Sequence, residues 1–477
     1  MAKKDLSPLR SLAKLFQKLT DMKHVVSYIL VLLCLIELIW GYGQLFGIDS
    51  SIRTPIRVSG SFDLPPVFGG LLAILFPLIL SQQIKVRKDF YPIFWGVIFM
   101  LICLMLITKS RAAWLACFVS ITYYFVTTFQ DRIVLTIRNN IRYSVLLSFI
   151  FILVIICLSY IVYYMKKDSA DGRLLIWKIG IRAVAEEPVW GHGWNYVLGA
   201  YGQAQERYFS LGLGNEHEQW IADSPKFLYN EYLHIAMAWG IPVFLLLIVG
   251  IVVIVYWGHR IKEFGVVGSM LAFLVFAFFS FPLQYALMHV VLYLLIVYLL
   301  LSLPNFIVKF SVTICFTLLL IADLLCQYRC NQFVDDWKNN RCYMEEYCNQ
   351  LYWNEEFLFN YGLLLNRQKE YKKSQAILNQ GLKVSSDVMF LNIQGKNAWA
   401  MGCYEEAETW FIRSTHRVPN RVYPYYLLAK LYNDTAYKHP DKVQKMAKIV
   451  MTKKPKVLSS AIKTMRSEMN QLLNDAQ

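Results

Sequence analysis

Charge is scarce where this sequence is most continuous. Only 17% of its 477 residues are Asp, Glu, Lys or Arg, while 56% are hydrophobic and 15% aromatic. The long apolar runs hold almost no charged side chain in their interiors beyond Glu37. That balance excludes an ordinary soluble globular protein and fits a polytopic membrane protein. It also argues against a transporter, whose pathway needs ionisable groups inside the spans. Acidic residues are fewer than basic ones, leaving a net charge of +15. Much of the excess falls in short segments between apolar runs, where the positive-inside rule accounts for it and nucleic acid is not needed as a partner.

Other features are missing too. The ten cysteines match no zinc spacing. Cys34, Cys103, Cys117, Cys157, Cys315 and Cys326 lie in or beside apolar runs, as small hydrophobes. Cys330, Cys342, Cys348 and Cys403 follow the last run and are expected as free thiols, although a Cys342–Cys348 disulfide is open to a non-cytoplasmic segment. The basic start, "MAKKDLSPLRSLAKLFQK", is too long for a signal peptide and has no small-residue cleavage site.

About twenty apolar residues cross a bilayer. On that basis nine spans are expected, at 25–46, 67–84, 91–108, 112–129, 143–164, 232–257, 264–281, 284–303 and 306–326. The expected fold is therefore all-α: a polytopic helical membrane domain at 25–327, after a basic cytoplasmic segment at 1–24. With that N-terminus inside, "QQIKVRKD", "QDRIVLTIRNNIR" and "GHRIKEF" also fall inside, each rich in Lys and Arg. The long loop 165–231 then lies outside, as does everything after about 327. A miscount of one span would reverse the side of the C-terminal part.

Residues 328–477 are polar and helical in pattern, with an internal period. Gly362 and Gly395, Tyr371 and Tyr404, and Gly381 and Ser414 are each 33 residues apart. Gly402 near a turn, Ala407 in a second helix and Pro419 beyond it resemble the tetratricopeptide repeat. A third unit is expected from Tyr423 with Ala429 as its small residue. Small residues let paired helices approach, and the stack buries one shared core. Such repeats serve either as a docking surface for a partner or acceptor, or only to pack against the membrane domain.

Several polar residues on the expected outer side exceed what a membrane fold requires. Arg111 opens the fourth span in "TKSRAAWLACF" and either snorkels to headgroups or faces a polar cavity. In "DGRLLIWKIGIRAVAEEPVWGHGWNY", Leu174, Trp177, Ile181 and Val184 share a helical face, as in an amphipathic surface helix. Asp171 and Gly172 would start that helix and Pro188 follow it, placing Arg173 in the first turn, where the dipole attracts anions. Arg173 there suits a lipid-borne phosphate, since a guanidinium grips two oxygens at once, or it pairs with Asp168 or Asp171 on an ordinary surface helix. Arg182 lies further along. His192 sits in the Gly-rich turn "GHGWN". Glu216, His217 and Glu218 have metal-binding side chains but no further ligands nearby, so a solvated loop is expected. In "FLYNEYLHIAMAWGIP", Asn230, Glu231 and His234 mark the junction between this loop and the sixth span.

Four stretches together resemble the O-antigen ligase and polymerase superfamily of bacterial membrane glycosyltransferases. "SGSFDLPPVFGGLLAILFPL" is similar to the family's Gly-Thr-Phe-x-Asn-Pro-Asn stretch through Gly60, Phe62 and Pro65, with Leu64 and Pro66 in place of the asparagines. "KSRAAWLA" is like its Ser-Arg-x-x-Trp/Leu. "GRLLIWKIGIRAVAEEPVWGHGWNY" is similar to its Gly-Arg-x-x-x-Trp…Pro-x-x-Gly-x-Gly. "FLYNEYLHIAMAWGIP" is like its His-Asn-x-x-Leu-Gln…Gly-Ile/Leu-Pro/Val-Gly. Order and spacing agree over residues 25–300. With the repeats appended, the chain is similar to a variant associated with Bacteroidales-type bacteria. Many members begin with additional spans, so an N-terminally shorter form is expected.

The resemblance implies transfer of a glycan from undecaprenyl pyrophosphate to lipid A–core, another glycan or a protein, at the periplasmic face of the inner membrane. It implies inversion at the anomeric carbon and no metal or other cofactor, with arginines neutralising the departing pyrophosphate. Arg111 and Arg173 match the motif arginines, and Arg182 is a third contact. The family's His-Asn pair aligns with Tyr229-Asn230, so the usual base is replaced. His234 stands one turn on and can present an imidazole on Asn230's face, Glu231 can take the proton, or the acceptor loses it late without a base. Two rival readings stand beside the ligase: a polymerase joining repeat units, and a non-catalytic membrane scaffold acting through its repeats.

Overall fold

The computed structural model describes residues 7–47, 58–139, 142, 145, 164, 167–303, 306–339 and 341–475, and among them helix is the only regular secondary structure. In chain order the helices begin with α1 (Ser7–Leu45), α2 (Pro65–Ser81), α3 (Tyr91–Ile107), α4 (Arg111–Thr128), α5 (Gln130–Asn139) and α6 (Lys167–Glu186). There follow α7 (Val197–Ser210), α8 (Glu216–Ile221), α9 (Glu231–Arg260), α10 (Phe264–Phe279), α11 (Ala286–Leu300) and α12 (Phe306–Asn339). The C-terminal helices are α13 (Glu355–Arg367), α14 (Tyr371–Val384), α15 (Met389–Ala400), α16 (Tyr404–Arg417), α17 (Tyr423–Tyr432), α18 (Pro440–Thr452) and α19 (Ser460–Asp475). The chain divides into two compact units. The first is Met1–Tyr164, Tyr229–Glu231 and Leu245–Tyr328; the second is Met165–Leu228, Tyr232–Phe244 and Arg329–Gln477.

Among the described residues, four helices are long and apolar enough to cross a membrane: Met22–Leu45, Lys88–Ile107, Glu231–Arg260 and Ser311–Asn339. Arg111–Thr128 with Gln130–Asn139 passes the same test as a pair bent by 77°. Helices α2, α10 and α11 are apolar but shorter. Eight of the nine expected spans thus coincide with an apolar helix; the fifth, 143–164, lies almost wholly outside the described residues. Helix α2 forms the centre, buried at every residue from Val67 to Leu80. Two glycines let it pack so closely: a Cβ at Gly69 would enter the Thr108 side chain, and one at Gly70 would enter the Phe276 ring.

The second unit joins the segment 165–228 to the C-terminal helices. Successive helices from α13 to α19 pack on one another. Their period is visible in the core. A Cβ at Gly362 would meet Leu378 at 2.6 Å, and one at Gly395 would enter Phe411, both partners shifted by the same 33 residues. Tyr404 stacks on Tyr437, again 33 residues on, with ring centroids 5.5 Å apart. Buried polar groups close on each other: Ser374 Oγ donates to Gly362 O at 2.6 Å, and Asn397 Nδ2 donates to Ser374 Oγ at 2.8 Å.

Helix α7 lies against α14 and α16. A side chain at Gly199 would collide with Lys383 O, so only glycine admits that approach. Buried Arg417 donates to Glu206 Oε2 at 2.9 Å, and Arg413 Nε to Glu206 Oε1 at 2.6 Å. Asn420 Nδ2 donates to Trp220 O at 2.8 Å, and Ser386 Oγ to Pro225 O at 2.9 Å. Asp223 takes Lys456 at 3.1 Å and Arg421 at 2.9 Å. The surface against which the C-terminal helices pack is therefore the 165–228 segment.

Candidate functional site

In the first unit, three of the four motif stretches are held at helix ends. The turn at 59–61 is clamped by two α1 side chains. Gln44 Oε1 accepts from Ser59 N and Gly60 N, both at 2.9 Å, and Glu37 Oε2 accepts from Ser61 N at 3.1 Å. Gly60 has φ +57°, and a Cβ there would sit 2.5 Å from Glu37 Oε2, so both geometry and space require glycine. Glu37, the one internal charge of the first span, is a buried acceptor for this turn.

Arg111 is the first residue of α4. Ser110 caps that helix, its Oγ accepting from Ala113 N at 3.4 Å and donating to Pro66 O at 3.3 Å. The second motif is thereby tied to the first. The fourth motif enters through aromatic contacts: Tyr229 packs edge-on to Phe281 at 5.4 Å, and Phe281 contacts Tyr285, which meets Phe62 at 5.4 Å. Tyr229 has φ +54°, a left-handed conformation costly for an aromatic residue. It turns the chain so that Asn230 and Glu231 are buried at the start of α9. Glu231 Oε1 accepts from Leu283 N at 2.8 Å, which fixes the carboxyl group in place.

The second unit contains Arg173, Arg182 and His234. Helix α6 begins by Lys167, not at Asp171–Gly172, so Arg173 lies in its second turn and the helix-dipole argument for anion binding there does not hold. The buried stripe also differs from the expected one. It is Leu175, Ile179 and Ala183, whereas Leu174 and Ile181 are exposed. Both stripes are apolar, and packing selected the one with the smaller residues, Gly180 and Ala183. A Cβ at Gly180 would come 2.7 Å from Leu233, and Trp177 Nε1 donates to Leu228 O at 3.1 Å. The third motif thus grips the residues flanking Tyr229–Glu231. Arg182 is nine residues beyond Arg173, hence on the opposite face and roughly 14 Å along the axis. Its guanidinium lies 4.9 Å over the Tyr208 ring.

His234 stands against Trp194, ring centroids 4.3 Å apart, and Trp194 stacks on Trp239 at 5.3 Å. The buried Nε2 of His234 has no hydrogen-bond partner. His192 is structural, its Nε2 donating to Ala183 O at 2.9 Å. Glu216, His217 and Glu218 open helix α8, which Asn215 caps. There Glu218 pairs with Lys178 at 2.7 Å and His217 with Asp171 at 3.0 Å. Among the described residues, no three His, Cys, Asp or Glu side chains are grouped to hold a metal.

The sequence reading missed the break in α9. Gly240 has φ +80° and ψ 172°, and Pro242 follows within the same helix. Pro242 has no N–H, and Ile241 N turns away to donate to Pro188 O at 2.8 Å. The carbonyls of Met237 and Ala238 lose their helical donors and accept instead from His192 N at 2.7 Å and Gly193 N at 2.9 Å. A Cβ at Gly240 would collide with Val189 O, and one at Gly191 would lie 2.6 Å from the Ala238 carbonyl. The glycines and prolines of the third and fourth motifs are thus two halves of one backbone joint. Their shared punctuation was the available signal.

Residues 95–248 match the family model described as O-antigen ligase. The match takes in Arg111, Arg173, Arg182, Tyr229, Asn230, Glu231, His234 and the joint at Gly240, and leaves out the clamped turn at 59–61 and the C-terminal helices. No curated protein and no solved structure matches the chain. The match supports membrane glycan transfer of the O-antigen ligase and polymerase kind in general terms.

Proposed function

We propose that this protein transfers a glycan from undecaprenyl pyrophosphate to an acceptor hydroxyl at the periplasmic face of the inner membrane. The observation that carries the proposal is the O-antigen ligase match over 95–248, which contains every side chain assigned a part in the transfer here. Arg111 and Arg173, on the motif match, hold the pyrophosphate and neutralise it as it leaves. The acceptor oxygen attacks the anomeric carbon. The carbon–oxygen bond to pyrophosphate breaks, the new glycosidic bond forms with inversion, and the hydroxyl proton passes to a base. Glu231 is assigned as that base, because its carboxyl group is buried and anchored by Leu283 N at 2.8 Å. Asn230 and Tyr229 position it, the left-handed backbone at Tyr229 setting its direction. Arg182, occupied with Tyr208, shapes α6.

One observation favours a second reading of the base. His234 keeps a buried Nε2 without a partner, one turn beyond Asn230. Glu231→Gln and His234→Ala separate the two: the variant of the true base loses kcat by about 10²–10⁴-fold, while the other keeps most activity.

The C-terminal helices are assigned as tetratricopeptide-type repeats that brace the 165–228 segment carrying Arg173. A deletion strain tests the reaction. Loss of a ligase leaves lipid-linked polymer unattached, whereas loss of a polymerase leaves single repeat units on the acceptor. A scaffold is indicated instead if Arg173→Ala changes neither product while removal of 330–477 does.

A further inference from the structure

The break at Gly240 divides α9 into arms of different character. From Ile241 to Gly258 the helix is apolar, and Leu245, Leu246, Val249, Val252, Val253 and Tyr256 are exposed. That arm rises about 27 Å, close to the ~30 Å hydrocarbon thickness of a bilayer. His259, Arg260 and Lys262 close its far end, and the joint with Pro188–Gly193 closes the near end. The backbone hydrogen bonded into that joint carries the most exposed large apolar residue among the described residues, Trp190 at 84%, beside Val189 at 54%. Trp239, next to the break, is also exposed.

We propose that the Gly240 joint marks the hydrocarbon boundary and that Val189, Trp190 and Trp239 form a lipid-binding rim seated in the phospholipid headgroup layer. The occupant is a bilayer because the rim is bonded to the end of a helix whose length and apolar flank fit one. A polar tip on an apolar ring suits indole to that layer. Hydrogen bonding to the 188–193 turn satisfies the carbonyls that the break releases, which permits a non-helical backbone at that depth.

The inference rests on the membrane reading, and the experiment separates the two. A photo-crosslinking amino acid is placed singly at positions 190, 246 and 215 of the full-length protein, reconstituted in phospholipid nanodiscs, and the adducts are identified by mass. Phospholipid adducts at 190 and 246 and none at 215 are expected. Lipid at 246 but none at 190 overturns the rim alone. An adduct at 190 to a second copy of the chain overturns it in favour of a self-association surface. Absence of lipid at 246 overturns the membrane placement of this helix, and the rim with it.

Discussion

The two units use polar side chains in opposite ways. The first unit spends few of them, and its central helix α2 is buried along its length by apolar atoms and two bare glycines. One of its buried acids, Glu37, and Gln44 serve one turn at the end of that helix. The second unit is fastened by charge and amide contacts across long sequence separations: Glu206 to Arg413 and Arg417, Asp223 to Lys456 and Arg421, Asn420 to Trp220. On the proposed membrane placement, the difference follows from surroundings. Where the alternative partner is lipid, a helix keeps polar groups for its ends and packs by shape. Where the alternative partner is water, ion pairs and amides can set register between segments without stranding a charge.

The comparison can be broken most severely at the joint. Gly240→Ala places a Cβ against Val189 O at a positive φ with extended ψ, a conformation open essentially to glycine alone. Loss of monodisperse protein in detergent is expected. Gly250→Ala, in the same helix with nothing within 4 Å of its Cβ, should be neutral or stabilising by up to about 1 kcal/mol. Equal behaviour of the two variants would contradict the joint.

Next in size is Arg417→Ala. It leaves Glu206 without one of its two cations and opens a void where a fully buried side chain stood, at a cost of about 3–5 kcal/mol. Limited proteolysis should then cut within 165–228 and 329–477 at lower temperature than in the parent protein. Protection equal to the parent would mean that these segments are not held by this contact.

A smaller effect is expected from pH. Burial alone raises the Asp223 carboxyl, but Lys456 first, then Ser224 N–H and Arg421, hold it below the ordinary carboxylate range. Because the folded value is depressed, its contribution is present above the unfolded value of about 4 and is lost as pH falls through the folded value. Proteolytic sensitivity of the second unit should rise below about pH 4. In Asp223→Asn that contribution to the rise should be missing. Least of all, Arg182→Ala should cost about 0.5–1 kcal/mol through the lost contact with Tyr208, and leave transfer intact.

How far the fold was readable from sequence follows the same division. Apolar spans and the 33-residue period show in sequence because each is written in side-chain size at regular spacing: Gly362 and Gly395 each admit a bulky partner, Leu378 and Phe411. The buried face of α6 was misread because both of its stripes are apolar, and only the close approach at Gly180 to Leu233 decides between them. Packing of 165–228 against the C-terminal helices rests on contacts such as Asn420 with Trp220, which no local pattern encodes. Of the candidate site, the motif residues were legible by type and order. The left-handed backbone at Tyr229 and the anchoring of Glu231 by Leu283 N were not, since neither changes the local composition.

The most direct test of the central claim is glycan transfer by the purified full-length protein in nanodiscs, with undecaprenyl-pyrophosphate-linked glycan as donor and released undecaprenyl pyrophosphate as the readout. The account predicts transfer by the parent protein, a fall in kcat of about 10²–10⁴-fold in Glu231→Gln with little change in donor KM, and a rise in donor KM in Arg173→Ala. Undiminished release of undecaprenyl pyrophosphate in both variants would contradict it.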